Sequence, residues 1–244
     1  MTFAIRPSKN FLFGKLKREL ARFTVGVAVD AASADFKHRK KFRTHAYYGL
    51  DTDRAALQRG LARQQPSNTF GVQADITRLE RLPGGSADVV VSTSTLYHLP
   101  DAEHMDQALG ALIRIVKPGG SFLFDLLADA SLARALALVR PEFARARVFY
   151  FKNALSRAYE RLFEQGPDGN LGTHPIAGRL PMRIIAFVIG LTEYLTCHAP
   201  GPRKHAFVIA DNKRGGEAHA FDLAHLPQIA PGLFNAMMPE DQHA

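Results

Sequence analysis

Three aspartates stand where a parallel sheet would present them to a ligand. Asp30, Asp51 and Asp75 close three short apolar runs, VGVAVD, YYGLD and FGVQAD. In an open α/β sheet, ligands bind beyond the carboxyl ends of the strands, where the strand order reverses. Asp51 follows Asp30 by 21 residues, the distance at which an acid meets ribose hydroxyls in nucleotide-binding βαβ units. One such aspartate is a weak signal, because strand ends often carry Asp as a helix cap. Three in order suit a polar ligand with a ribose and a charged tail. No paired His, Cys, Asp or Glu spacing suggests a metal site, and the single cysteine, Cys197, excludes a disulfide within the chain.

The elements that must position these acids follow from periodicity. Val25 to Asp30, Tyr47 to Asp51, Phe70 to Asp75 and Ala87 to Ser92 read as buried parallel strands. Asp101 to Val116 reads as a helix with Met105, Leu109, Leu112, Ile113 and Val116 on one face. Lys117-Pro-Gly-Gly120 stops it and leads into a fifth strand, Ser121 to Leu126. A helix at Ser131 to Val139, a strand at Arg147 to Phe151 and a last strand at His205 to Ala210 complete the alternation. Such alternation predicts a Rossmann-like, doubly wound α/β fold with a mostly parallel, seven-stranded sheet. The stretch 153–204 breaks the rhythm with two helices and a Gly/Pro-rich loop, and reads as a helical insertion before the last strand. The division expected is an N-terminal amphipathic helix in 1–24 and one domain over 25–244.

Composition bounds the rest. The 244 residues suffice for one sizeable core, and 46% apolar with 22% charged residues is ordinary for a folded domain. The N-terminus lacks the uninterrupted apolar core of a signal peptide, and the most apolar stretch contains Glu193, so the chain reads as cytoplasmic. A net charge of +8 suggests an anionic partner, set against general surface composition as the plainer cause. The run from Lys37 to Arg43 (KHRKKFR) looks like a nucleic-acid patch but reads more simply as an exposed basic face of the first crossover. Nucleic acid is not favoured as the partner.

At this point the chain resembles the class I S-adenosylmethionine-dependent methyltransferases that act on small molecules, lipids or saccharides. The matching pieces are VAVDAASADFKHRKKF, YYGLDTD, QADITRLERLPGGSADVVVSTSTLYHLPD and IRIVKPGGSFLFDL, covering about residues 25–126 in the family's order. The resemblance implies S-adenosylmethionine as cofactor. Its methionine end would lie at the loop Asp30 to Asp35, its ribose at Asp51 with Thr52 beside it, and its adenine at Asp75 and Ile76. Ser92 to Thr95 would line the sulfonium and the transferred methyl, and 205–210 would be the antiparallel strand that ends such folds. His98, in a stretch like the family's HHLPD segment, is the candidate general base, with helix-start positioning as its other reading. His174 is a second candidate if the insertion folds over the pocket.

The chain departs from the family in one place. The family's first loop reads D-x-G-x-G, whereas here Ala32 and Ala34 occupy both glycine positions. Glycine serves where φ is positive or where backbone approaches a ligand without a Cβ, and alanine at positive φ costs about 1 kcal/mol. A binding-only relative, acting as a scaffold, is therefore the alternative reading. A nicotinamide-dependent oxidoreductase needs G-x-G-x-x-G after the first strand, which is missing.

Two helices carry further expectations. In the N-terminal one, Phe13, Leu16, Leu20 and Phe23 lie opposite Lys15, Arg18 and Arg22, so it packs on the domain or touches a membrane. In the insertion, Leu180, Ile184, Phe187, Val188, Leu191 and Leu195 form one face, with Arg179, Arg183, Arg203 and Lys204 around it. That helix either packs on the sheet or in a dimer, or meets an anionic membrane or lipid-like substrate.

Overall fold

The computed structural model describes residues 4–64, 68–80, 82–163, 176, 178–200, 205–220, 228–230 and 233–235. The elements run α1 (Pro7–Leu20), β1 (Val27–Ala31), β2 (Ala46–Asp51), α2 (Arg54–Gln64), β3 (Thr69–Gln73) and β4 (Ala87–Ser92). They continue with α3 (Ala102–Ile115), β5 (Val116–Leu127), α4 (Ala130–Glu142), β6 (Phe143–Phe151), α5 (Ala154–Phe163), α6 (Leu180–Thr196) and β7 (His205–Lys213). Two short strands, β8 (Gln228–Ala230) and β9 (Leu233–Asn235), follow.

The sheet order is β6-β7-β5-β4-β1-β2-β3-β9-β8. Strands β3, β2, β1, β4 and β5 are parallel to one another, while β7 runs antiparallel between β5 and β6. The seven strands expected are present, and β9, parallel to β3, extends that edge. The order reverses between β1 and β4, so the loops that leave these two strands face each other across the switch point.

Helices α3 and α4 cover one face through Met105, Leu109, Leu112, Leu132 and Leu136, packed on Val29, Leu50, Val90 and Phe122. On the other face α1 inserts Phe11, Leu12, Leu16 and Leu20, all at most 1% exposed, against Tyr47, Val91 and Phe207. The N-terminal helix is thus a core element. Its C-terminal end is tied to the sheet by Arg147, which bridges Glu19 at 3.1 Å and Asp211 at 2.7 Å.

Two local expectations need correction. The first strand begins at Val27, not Val25, because Gly26 turns with φ 88° and the Asp88 carboxylate accepts the Val27 N–H at 2.7 Å. The basic run is not simply an exposed face. Arg39 is buried, with its guanidinium donating to Thr69 Oγ1, Asn68 Oδ1 and the Phe42 carbonyl, and it lies over the Tyr47 ring. His38 is also buried and sits 2.7 Å from Lys41 Nζ, while Lys37, Lys40 and Arg43 remain exposed.

Candidate functional site

The loop leaving β1 determines the site. Ala32 and Ala34 adopt φ of 57° and 49°, the left-handed conformation that the sequence pattern reserves for glycine, and Phe36 does so at 59°. An L-residue there is strained by about 1 kcal/mol, so neighbouring contacts must hold it. Those contacts come from β2. Ser33 N–H donates to the Leu50 carbonyl at 2.9 Å, and Ala34 N–H donates to Asp51 Oδ2 at 2.7 Å. The fully buried Phe36 ring lies over Gly49, where a Cβ would come within 2.3 Å of it. Gly49 therefore lets the loop fold back onto the strand.

The three sequence-predicted acids differ in their engagement. Asp30 is buried and accepts the Tyr47 hydroxyl at 2.7 Å. Burial pushes its carboxyl up to about 6, against the pull of the Tyr47 bond, Lys37 and Lys41. Asp51, half-buried, accepts Ala34 N–H on one oxygen and Asp53 N–H at 2.9 Å on the other. Each oxygen keeps a second lone pair for a ligand hydroxyl. Asp75 Oδ1 accepts both the N–H and the hydroxyl of Thr77, forming a turn that leads out of β3. Thr52 is exposed beside Asp51, whereas Ile76 is 6% exposed and packs in the core with Leu79 and Leu96. Ser92 pairs with Ala31 across the switch point, and its hydroxyl is buried without a hydrogen-bond partner. Asp30, Ala32, Ala34, Asp51 and Ser92 thus gather at one place, with Asp75 further along the edge.

A second group lies at the ends of β4 and β5. Asp125 is fully buried, and its Oδ1 accepts the Ser94 N–H at 2.6 Å. Ser94 is itself held at φ 60°, and its hydroxyl accepts from Lys9 Nζ of α1. Burial raises the Asp125 carboxyl and lowers the Lys9 ammonium, while each charge favours the other's ionised form. His205, at the start of β7, brings Nδ1 to 4.0 Å from Asp125 Oδ2, and Tyr97 packs edge-on against its ring. His98 is exposed at the rim, its ring against Tyr97 and its N–H donating to the Thr95 carbonyl at 2.8 Å. His174 lies outside the described residues.

Asp125 and Lys9 were not singled out from sequence. Asp125 had a readable signal, an acid interrupting the otherwise apolar SFLFDLL strand. Lys9 had none, since only the packing of α1 brings it to Ser94. No group of three or more metal-ligating side chains occurs among the described residues.

The methyltransferase domain family matches residues 24–124, the stretch that contains β1 to β4, most of β5 and both loops of the switch point. These residues match a methyltransferase domain. Its sheet is that of the class I S-adenosylmethionine-dependent methyltransferases, and S-adenosylmethionine is the cofactor that goes with it. The N-methyltransferase NodS from Bradyrhizobium japonicum WM9, solved with S-adenosyl-L-homocysteine, superposes with a TM-score of 0.54 at 14% identity, covering 84% of this chain and 85% of its own. The cyclase SpnF superposes with a TM-score of 0.57 at 13% identity, covering 84% and 82%. The geranyl diphosphate C-methyltransferase of Streptomyces coelicolor A3(2) gives 0.51 at 12% identity, covering 82% and 80%. These likenesses describe the fold of the chain alone. No curated protein sequence matches the chain.

The residues present fit the cofactor. The loop keeps the left-handed backbone of a glycine loop, Asp51 retains acceptor capacity, and the Ser92 hydroxyl is an orphaned polar atom at the switch point. The departure is confined to two methyl groups, the Cβ atoms of Ala32 and Ala34.

Proposed function

We propose that this chain transfers the methyl group of S-adenosylmethionine to a small-molecule, lipid-linked or saccharide acceptor. The observation that carries this reading is the Ala34–Asp51 bond, which holds the loop in a left-handed conformation without the glycines that usually allow it. In this reading Asp51 and Thr52 hold the ribose, Asp75 and Ile76 flank the adenine, and the loop from Asp30 to Ala34 with Ser92 holds the methionine end.

The cofactor, when bound, supplies a methyl group activated on a sulfonium. The chain's own residues align the acceptor and exclude water, and alignment of this kind accounts for much of the rate in displacement reactions. Ser94, fixed by Asp125 and Lys9, forms the floor on which the acceptor rests. An acceptor hydroxyl or amine must also lose a proton, and His98 at the rim is the proposed recipient. The acceptor determinants are assigned to α1, which precedes the proposed domain over 25–244, and to the insertion of about 153–204 within that domain.

A binding-only role is the second reading, and it rests on the Cβ atoms of Ala32 and Ala34. Calorimetric titration with S-adenosylmethionine and S-adenosylhomocysteine, with Asp51→Ala as control, separates the two. Micromolar binding that disappears in Asp51→Ala supports the methyltransferase. Absence of binding at millimolar ligand would leave the scaffold role.

A further inference from the structure

Helix α6 is packed with its small residues inward. Ala186 and Gly190 are buried, and a Cβ on Gly190 would lie 2.8 Å from the Pro7 carbonyl of α1. Its large residues face outward: Leu180, Ile184, Ile185, Val188, Leu191 and Leu195 are between 45% and 86% exposed. On α5, which packs beside it, Leu155 and Leu162 are also more than half exposed. A helix at a water-facing surface normally turns its apolar stripe inward. A contiguous exposed apolar patch of this kind marks an interaction surface.

Charge selects the partner. The three helices α1, α5 and α6 contain three acids, Glu19, Glu160 and Glu193, and all are buried. Glu19 pairs with Arg22 and Arg147, and Glu160 with Lys152 and Ser8. Glu193 accepts from Asn153 N–H and the Ser156 hydroxyl. The exposed charges on these helices are Lys17, Arg18 and Arg161, with Arg179 at the N-cap of α6, every one of them positive. A two-fold contact between copies would set this positive surface against itself. An anionic bilayer accepts the apolar stripe in its headgroup–acyl boundary and the cations at its phosphates together.

We propose that the α5–α6 face docks on an anionic lipid surface. Docking goes beyond methyl transfer and does not depend on it. Helix α6 is linked to the candidate site only through α1, because Gly190 abuts Pro7 and Lys9, one half-turn further along α1, reaches Ser94. The docked face itself points away from α1. No helix among the described residues is long and apolar enough to cross a membrane, so the contact is peripheral.

The test is co-sedimentation of the full chain with vesicles of equal parts phosphatidylglycerol and phosphatidylcholine, against phosphatidylcholine alone. Binding to the anionic vesicles only, weakened by salt, is expected. The double variant Val188→Glu with Leu191→Glu should reduce it about tenfold or more, as loss of two apolar contacts and gain of two like charges require. Arg161→Gln with Arg179→Gln should weaken it and flatten the salt dependence. Unchanged thermal unfolding and unchanged S-adenosylhomocysteine binding in both variants keep the result separate from folding and from the cofactor site. Vesicle binding that is absent, or indifferent to the double glutamate variant, overturns the proposal. So does a dimer in light scattering that the same variant converts to monomer, since a second copy would then cover the face.

Discussion

Asp51 Oδ2 accepts the backbone N–H of Ala34 at 2.7 Å, so the acid that ends β2 holds in place the loop that leaves β1. The positioning of the loop and the proposed ribose contact thus fall to one carboxylate. Hydrogen bonds to a charged group contribute about 1.5–3 kcal/mol each, comparable with the strain of about 1–3 kcal/mol for one alanine at positive φ. The bond therefore offsets the strain at Ala34 and helps to hold the loop's conformation.

Asp51→Ala should lower unfolding free energy by about 2 kcal/mol and S-adenosylhomocysteine affinity by about tenfold or more. Asp51→Asn keeps one acceptor oxygen and should fall between the wild type and Asp51→Ala in both measurements. Urea unfolding and calorimetry on the same samples check this. Loss of stability with unchanged affinity would remove the ribose role.

Ala32→Gly and Ala34→Gly should each raise stability by about 0.5–1 kcal/mol, because glycine relieves the left-handed strain at a smaller entropic cost. For a chain of this size that is a rise of about 2–4 °C in melting temperature per kcal/mol. If the Cβ atoms also crowd the ligand, S-adenosylhomocysteine binding should tighten in the double variant. Phe36→Gly has the same kind of φ but loses a fully buried ring, and should destabilise.

Much of the fold was legible because the parallel strands are short, apolar and closed by acids, and β4 matched its expected span of Ala87–Ser92 residue for residue. The loop was legible only through the family resemblance, which offered positive φ or close ligand approach as reasons for the two glycines; positive φ is what Ala32 and Ala34 adopt. What could not be read depended on contacts between distant segments. Lys9 meets Ser94 across 85 residues, and Arg39 is buried only because Thr69 and Asn68 supply its acceptors. A basic run looks the same in sequence whether its guanidinium is solvated or satisfied inside. Periodicity likewise found the apolar face of α6 but not its direction, which is set by the small residues Ala186 and Gly190 against α1.

Asp30 should make stability depend on pH. Its carboxyl stands at about 6 in the folded protein against an ordinary 3.8, so the folded state holds this proton more tightly than the unfolded chain. Stability from this group is therefore greatest below the unfolded value, falls as pH rises towards about 6, and stays lower above it. A shift of this size corresponds to about 2–3 kcal/mol. Asp30→Asn keeps an acceptor for the Tyr47 hydroxyl and removes the titration. The difference between wild type and variant in urea unfolding should then change between pH 4 and pH 7 in the variant's favour. A constant difference across that range would show that Asp30 does not titrate there.

Glu160 joins three elements: it accepts the Ser8 N–H at 3.2 Å and the Ser8 hydroxyl from α1, and pairs with Lys152 Nζ at 3.0 Å beyond β6. The carboxylate is 1% exposed and the Lys152 side chain 12%, so removing one partner leaves a charge with little access to water. Glu160→Ala should cost about 3 kcal/mol, at the low end for a broken buried pair because Lys152 keeps some solvent contact. Lys152→Met should cost at least as much, since both Ser8 bonds are on Oε1 and Lys152 alone faces the buried Oε2. The double variant should be more stable than the sum of the two singles predicts, with a coupling of about 1–2 kcal/mol in urea unfolding. Additive losses would mean that Ser8, rather than Lys152, is the partner that matters. The link between α1 and the insertion would then rest on that hydrogen bond and on the Gly190–Pro7 contact.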